Sequence, residues 1–197
     1  MKVGILNLQG AFREHIEEHI EALRKCDCEA MEIRKPEDMD EVQGLIVSGI
    51  KRTTEGILRV DFKILDKVLE RAEKGMPIFG TCDGISLLAK EVEESSQPTM
   101  GLMDITVKRK DYGYGKESFK ADLFIPALGA KPVRAVFIRA PYITRVKPNV
   151  GILCIYDDKI VMARQGNFLA CSFYPELTYE TRVHQYFIQM VKDAHSI

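Results

Sequence analysis

The chain has 197 residues, 46% of them hydrophobic and 29% charged, with 28 Lys+Arg against 29 Asp+Glu and no Trp. That length suits one domain with a sizeable core, and the apolar content excludes a disordered chain. A formal charge of −1 supplies no basic excess for nucleic-acid binding, and no apolar run approaches the roughly 20 residues of a membrane helix. The opening Met1–Leu6 reads as a buried strand rather than a signal peptide, because Gly4 and Asn7 cut the apolar run short. Five cysteines (Cys26, Cys28, Cys82, Cys154 and Cys171) form an odd set without paired C-x-x-C spacing. The expectation is a reducing cytoplasm, no zinc or other metal site and no cofactor.

In chain order, Val3–Leu8 is a strand, and Phe12, Ile16, Ile20 and Leu23 then recur at helical spacing. Glu29–Ile33 and Gly44–Val47 are strands, and Ser48–Gly56 is irregular. Phe62, Leu65, Val68, Leu69 and Ala72 mark an amphipathic helix that Gly75 ends. Met76–Phe79 is a fourth strand, turning through Gly80–Gly84 into a helix that carries Ile85, Leu87, Leu88 and Val92. The second half predicts strands at Leu102–Lys108, Ser118–Phe124, Val133–Ile138, Gly151–Tyr156, Lys159–Ala163 and Phe168–Phe173. Tyr156–Lys159 reads as a tight hairpin turn, and a terminal helix starts near Thr178. Alternating strands and helices predict an α/β domain over residues 1–197: three layers around a mostly parallel sheet, with added antiparallel strands.

Chemistry concentrates at Cys82. A strand, Gly80-Thr81-Cys82-Asp83-Gly84, then a helix is the nucleophile-elbow pattern with Cys in place of Ser. A helix N-terminus there would favour a thiolate, and the backbone N–H of Asp83 could serve an oxyanion. The Asp83 carboxylate opposes that thiolate by like-charge repulsion. The other four cysteines lack such a setting and read as packing residues.

These residues resemble the class I (triad-type) glutamine amidotransferases, whose sheet is flavodoxin-like, and most closely their branch of glutaminase subunits of pyridoxal 5′-phosphate synthases. The resemblance rests on Gly4-Ile5-Leu6-Asn7-Leu8-Gln9-Gly10-Ala11-Phe12-Arg13-Glu14-His15, Gly80–Gly84, Val136–Pro141 and Cys171–Leu177 in that order. It implies a cysteine that attacks the glutamine amide, a histidine that carries the proton to ammonia, and a glutamate that orients the histidine. A synthase subunit would receive the ammonia. Carried over, Cys82 is the nucleophile and Glu176 the orienting acid, while Arg109, Ile138 and Arg139 fall in the glutamine site.

Two independent departures predict weak catalysis. The histidine of the family's S-F-H-P-E-L is Tyr174 here, and a phenol with pKa near 10 is only about one part in a thousand ionised at pH 7. Tyr174 therefore reads as a packed aromatic. The family's P-G-G-E-S-T loop is Ser48-Gly49-Ile50-Lys51-Arg52-Thr53. Ile50 stands where a glycine lends its amide to the oxyanion, and Lys51 replaces an acid, with Gly49 and Arg52 beside it. Lys51 and Arg52 either bind a small anion near Cys82 or lie in solvent. His15 and His19 match a surface implicated in docking, and neither they nor His184 has the spacing to replace Tyr174. Three readings follow: an impaired glutaminase subunit, a non-catalytic binding or regulatory protein, and, more remotely, a hydrolase or redox sensor using Cys82 alone.

Overall fold

A computed structural model describes residues 1–7, 13–48, 62–109 and 118–196. Its sheet grows from short apolar runs that are buried on both faces, as parallel strands beneath helices must be. Strands β1 (Lys2–Leu6), β2 (Glu29–Ile33), β3 (Gly44–Val47) and β4 (Ile78–Thr81) form its first half, with helix α1 (Arg13–Arg24) after β1 and α2 (Phe62–Glu73) before β4. Helix α2 ends at Gly75, whose φ of 90° lets the Gly75 and Met76 amides close back on Ala72 and Arg71.

Beyond β4 come a five-residue helix, α3 (Gly84–Leu88), β5 (Ala89–Val92), β6 (Met103–Lys108), β7 (Ser118–Leu123), β8 (Val133–Ile138) and β9 (Tyr142–Val146). The chain then adds β10 (Gly151–Tyr156), β11 (Lys159–Gln165), β12 (Phe168–Cys171) and the terminal helix α4 (Arg182–His195). The main sheet runs β2-β1-β3-β4-β12-β11-β9-β6-β5, with β10 on β11. From β2 to β12 every pairing is parallel, in the expected flavodoxin-like order. Beyond β12 the sheet is mixed: β11 runs antiparallel to β12, β9 and β10, and β6 to β9, while β5 and β6 are parallel. The added antiparallel strands are therefore a continuation of the sheet itself, and β7–β8 form a separate two-stranded ribbon.

Apolar clusters cover both faces. Ile16 and Leu23 of α1 and Val183, Phe187 and Val191 of α4 pack on one side, joined by Leu123, Val133 and Phe137 of the ribbon. Ile64, Leu65 and Val68 of α2 pack on the other with Ile85 and Leu88 of α3. Two expectations need correction. The segment after the elbow is one short helix and then strand β5, because Ala89–Val92 pairs with β6. Strand β9, which the sequence reading left out, bridges β6 to β11. The hairpin turn is present, with Asp157 and Asp158 at φ of 49° and 57°.

Candidate active site

The elbow forms because backbones crowd there. A Cβ on Gly84 would lie 2.0 Å from the Val47 carbonyl oxygen, and one on Gly80 would lie 2.7 Å from Leu88 Cδ1. Both glycines of the G-x-C-x-G pattern thus permit α3 to cross close over β3 and β4. Between them Cys82 adopts φ 45°, a left-handed backbone that non-glycine residues hold only where the surroundings impose it. Its amide is fixed to the Cys171 carbonyl of β12 at 2.9 Å. The sulfur therefore stands at the carboxyl end of the parallel strands, where such sheets carry their sites.

The Cys82 side chain is 2% exposed. Its thiol is directed at the Ile138 carbonyl, 3.9 Å away at the end of β8, and Tyr174 belongs to the same buried cluster. Burial, and then the Asp83 charge, push the thiol far above its ordinary range, and the nearby polar groups of Tyr174 and the Asp83 backbone offset only part of that. Burial likewise pushes the Tyr174 phenol far upward, reinforced by the neighbouring Cys82. At neutral pH both groups hold their protons. The short α3 supplies little of the helix-terminus field expected from sequence, since an N-terminal charge effect needs aligned turns behind it.

Glu176 lies in a 3-10 turn, Pro175–Leu177, directly after Tyr174. It is buried, and its carboxyl is raised by burial and lowered by His15. His15 Nδ1 lies 2.8 Å from Glu176 Oε1, and the His15 ring lies against the Tyr174 ring with centroids 4.6 Å apart and planes 30° apart. His19 Nε2 faces Glu176 Oε2 at 3.5 Å, and His19 Nδ1 meets His184 Nε2 at 3.0 Å. Burial drives His19 well down and His184 down to about 4, so both are neutral. Electrostatics then selects the tautomers. An N–H on His19 Nε2 points a donor at the carboxylate and leaves Nδ1 to accept from His184 Nε2–H; the reverse arrangement would aim a lone pair at the carboxylate.

The His15 and His19 side chains, which the sequence reading placed on a docking surface, turn inward, while Arg13, Glu14, Glu17 and Glu18 occupy the exposed face of α1. His19 is fully buried and the His15 side chain is 13% exposed, and both face the site from within. A signal for this was present in the sequence, since His19 lies three residues after Ile16 and four before Leu23, on the apolar stripe. His184 similarly adjoins Val183 and precedes Phe187 on the buried side of α4.

The structure thus brings Cys82, Asp83, Ile138, Tyr174 and Glu176 together. Arg109 joins them, its Nε 3.6 Å from Asp83 Oδ1. Arg139 follows Ile138 with φ 44°. Ser48, at the end of β3, is buried and accepts from Thr81 Oγ1 at 3.4 Å. Gly49, Ile50, Lys51 and Arg52, like Gln9 and Gly10, lie outside the described residues. Among the described residues no group of three or more His, Cys, Asp or Glu side chains is arranged to hold a metal ion, and no helix is long and apolar enough to cross a membrane.

Comparison with known proteins covers nearly the whole chain. The sequence model of the SNO glutamine amidotransferase family matches residues 5–193. The chain is 50% identical over 191 residues to the pyridoxal 5′-phosphate synthase subunit PdxT of Carboxydothermus hydrogenoformans, covering 97% of this chain and 98% of that protein. It is 48% identical to the PdxT of Pelotomaculum thermopropionicum, covering 96% and 94% respectively. A crystal structure of a glutamine amidotransferase superposes with a TM-score of 0.85 at 42% identity, covering 96% of this chain and 98% of that one.

Proposed function

Because the chain belongs to the SNO glutamine amidotransferase family, we propose that residues 1–197 form one amidotransferase-like unit, a PdxT-type glutaminase subunit whose glutamine hydrolysis is greatly reduced. In this reading Cys82 is the nucleophile that would form a glutamyl thioester, and Asp83 and Ile50 lend the oxyanion amides. Gly49, Lys51, Arg52, Arg109, Ile138 and Arg139 face glutamine or another small anion. A synthase subunit that makes pyridoxal 5′-phosphate is the partner, and the cytoplasm the setting.

One observation carries the reduction: the residue at position 174, buried in the same cluster as Cys82, is a tyrosine and not a histidine. A phenol raised further by burial cannot accept the thiol proton at neutral pH, nor pass one to leaving ammonia. Losing a positioned acid–base group costs about 10²–10⁴ in rate. The deep burial of Cys82 also favours the second reading, a binding or regulatory protein on the same scaffold.

The test is ammonia release from glutamine, alone and with the synthase subunit. Release is expected to stay at the level of Cys82→Ala. Tyr174→His alone should restore little, and adding Ile50→Gly with Lys51→Glu should restore more. Wild-type hydrolysis at ordinary glutaminase rates, abolished by Cys82→Ala, would overturn the proposal.

A further inference from the structure

We infer that Asp83 is a specificity-determining residue: its ion pair with Arg109 turns the site against ligands that bring a carboxylate to that guanidinium and favours those whose corresponding end is uncharged. The inference deepens the reading of Arg109 as part of the glutamine site and rests on it. Arg109 directly follows the last residue of β6, and its Nε lies 3.6 Å from Asp83 Oδ1. The pair is sheltered, with 9% of the Arg109 side chain and 25% of the Asp83 side chain exposed. Its attraction is therefore screened less than that of an ion pair in open solvent.

Asp83 occupies the N-cap position of α3, where an aspartate ordinarily accepts from an amide two or three residues on. Its carboxylate makes no such bond. Instead Oδ1 accepts from the Ser86 hydroxyl at 3.4 Å and faces Arg109. Ser86 is fully buried, so the carboxylate is held from the helix side and aimed across at the strand end.

A guanidinium pairs most strongly with a carboxylate along one edge, through two parallel N–H donors. Asp83 stands at the Nε edge. A ligand carboxylate either displaces Asp83, leaving that charge without its cation, or settles on another edge, with two carboxylates beside one cation. Both routes weaken the binding of a charged end. Neither burdens a neutral carboxamide, which donates to a carboxylate as readily as it accepts from a guanidinium.

Calorimetric titration of the full chain carrying Cys82→Ala, alone and with the synthase subunit, compares L-glutamine with its α-carboxamide analogue, L-glutaminamide, before and after Asp83→Asn. Before that change glutaminamide should bind at least as tightly as glutamine, a comparison that leaves the ion pair intact. Asp83→Asn should tighten glutamine about tenfold, the effect of one nearby like charge equivalent to about one pKa unit, and should not tighten glutaminamide. Adding Arg109→Gln should abolish that gain, because the two residues act through one pair. Tighter binding of glutamine than of glutaminamide before Asp83→Asn, equal tightening of both by it, an unchanged glutamine affinity, or a tenfold gain that persists without Arg109 would each overturn the assignment. Glutamine binding to none of the variants would overturn it together with the glutamine-site reading. Glutamine hydrolysis by the wild type would refute only the proposed loss of activity.

Discussion

At the residue scale the chemistry of the site is set by which charges surround one sulfur. Cys82 has its proton held by burial first and by the Asp83 carboxylate second. Asp83 is only partly shielded, with Arg109 3.6 Å away, so its field at the sulfur is moderated but not cancelled. Asp83→Asn removes that charge at nearly constant shape. We expect Cys82 alkylation at pH 8 to rise by roughly threefold to tenfold, in line with a shift of up to about one unit from a single nearby like charge. An unchanged rate would show that burial alone sets the thiol. Of the residues chosen from sequence, Cys82, Asp83, Arg109, Ile138, Tyr174 and Glu176 come together around the elbow, because local pattern and motif order carry that information. The imidazoles of His15, His19 and His184 around Glu176 were not legible as a cluster, since their meeting depends on how α1 and α4 pack on the same sheet face.

At the scale of elements, the elbow is a problem of backbone separation. Gly84 begins α3 so close to β3 that a methyl group would overlap the Val47 carbonyl. Backbone cannot yield as a side-chain end can. Gly84→Ala is therefore expected to cost about 3 kcal/mol, at the upper end of overpacking effects, or to prevent folding. Urea unfolding measures the loss, and a variant as stable as wild type would show that α3 is free to shift. The same crowding explains why the sequence reading made the post-elbow helix too long. Ile85, Leu87 and Leu88 have a helical spacing, but Ala89–Val92 earns more by completing the edge of the sheet beside β6 than by extending α3. For Val133–Ile138 and Gly151–Tyr156, where pattern and pairing agree, predicted and observed bounds coincide.

For the whole molecule, the buried histidines make stability depend on pH. His184 has a folded pKa of about 4 against an ordinary 6.5, so between those values the unfolded chain binds the proton that the folded chain refuses. Stability therefore rises with pH across that window and is lost on acidification, by up to roughly 3 kcal/mol from this residue. His19, lowered for the same reason, adds in the same sense. Glu176 acts oppositely: its carboxyl is raised, so its contribution declines as pH rises through its folded value. The comparison of wild type with His184→Gln isolates the histidine. The variant keeps a donor for His19, and its unfolding free energy should lose up to about 1.4 kcal/mol per pH unit of acid slope. Equal slopes in the two proteins between pH 4 and 6.5 would exclude this role.

By itself, the sequence determined the alternation of strands and helices, the strand–elbow sequence around Cys82 and the absence of an imidazole at position 174, because each is written in local spacing or in residue identity. Tertiary structure alone decided that the parallel strands continue into an antiparallel half, that Glu176 is joined to His15, and that α1 turns its histidines inward. Those outcomes depend on contacts between distant segments, with β12 pairing β4 across 90 residues and Glu176 meeting His15 across 161, whose energies arise only when the sheet brings them to one place.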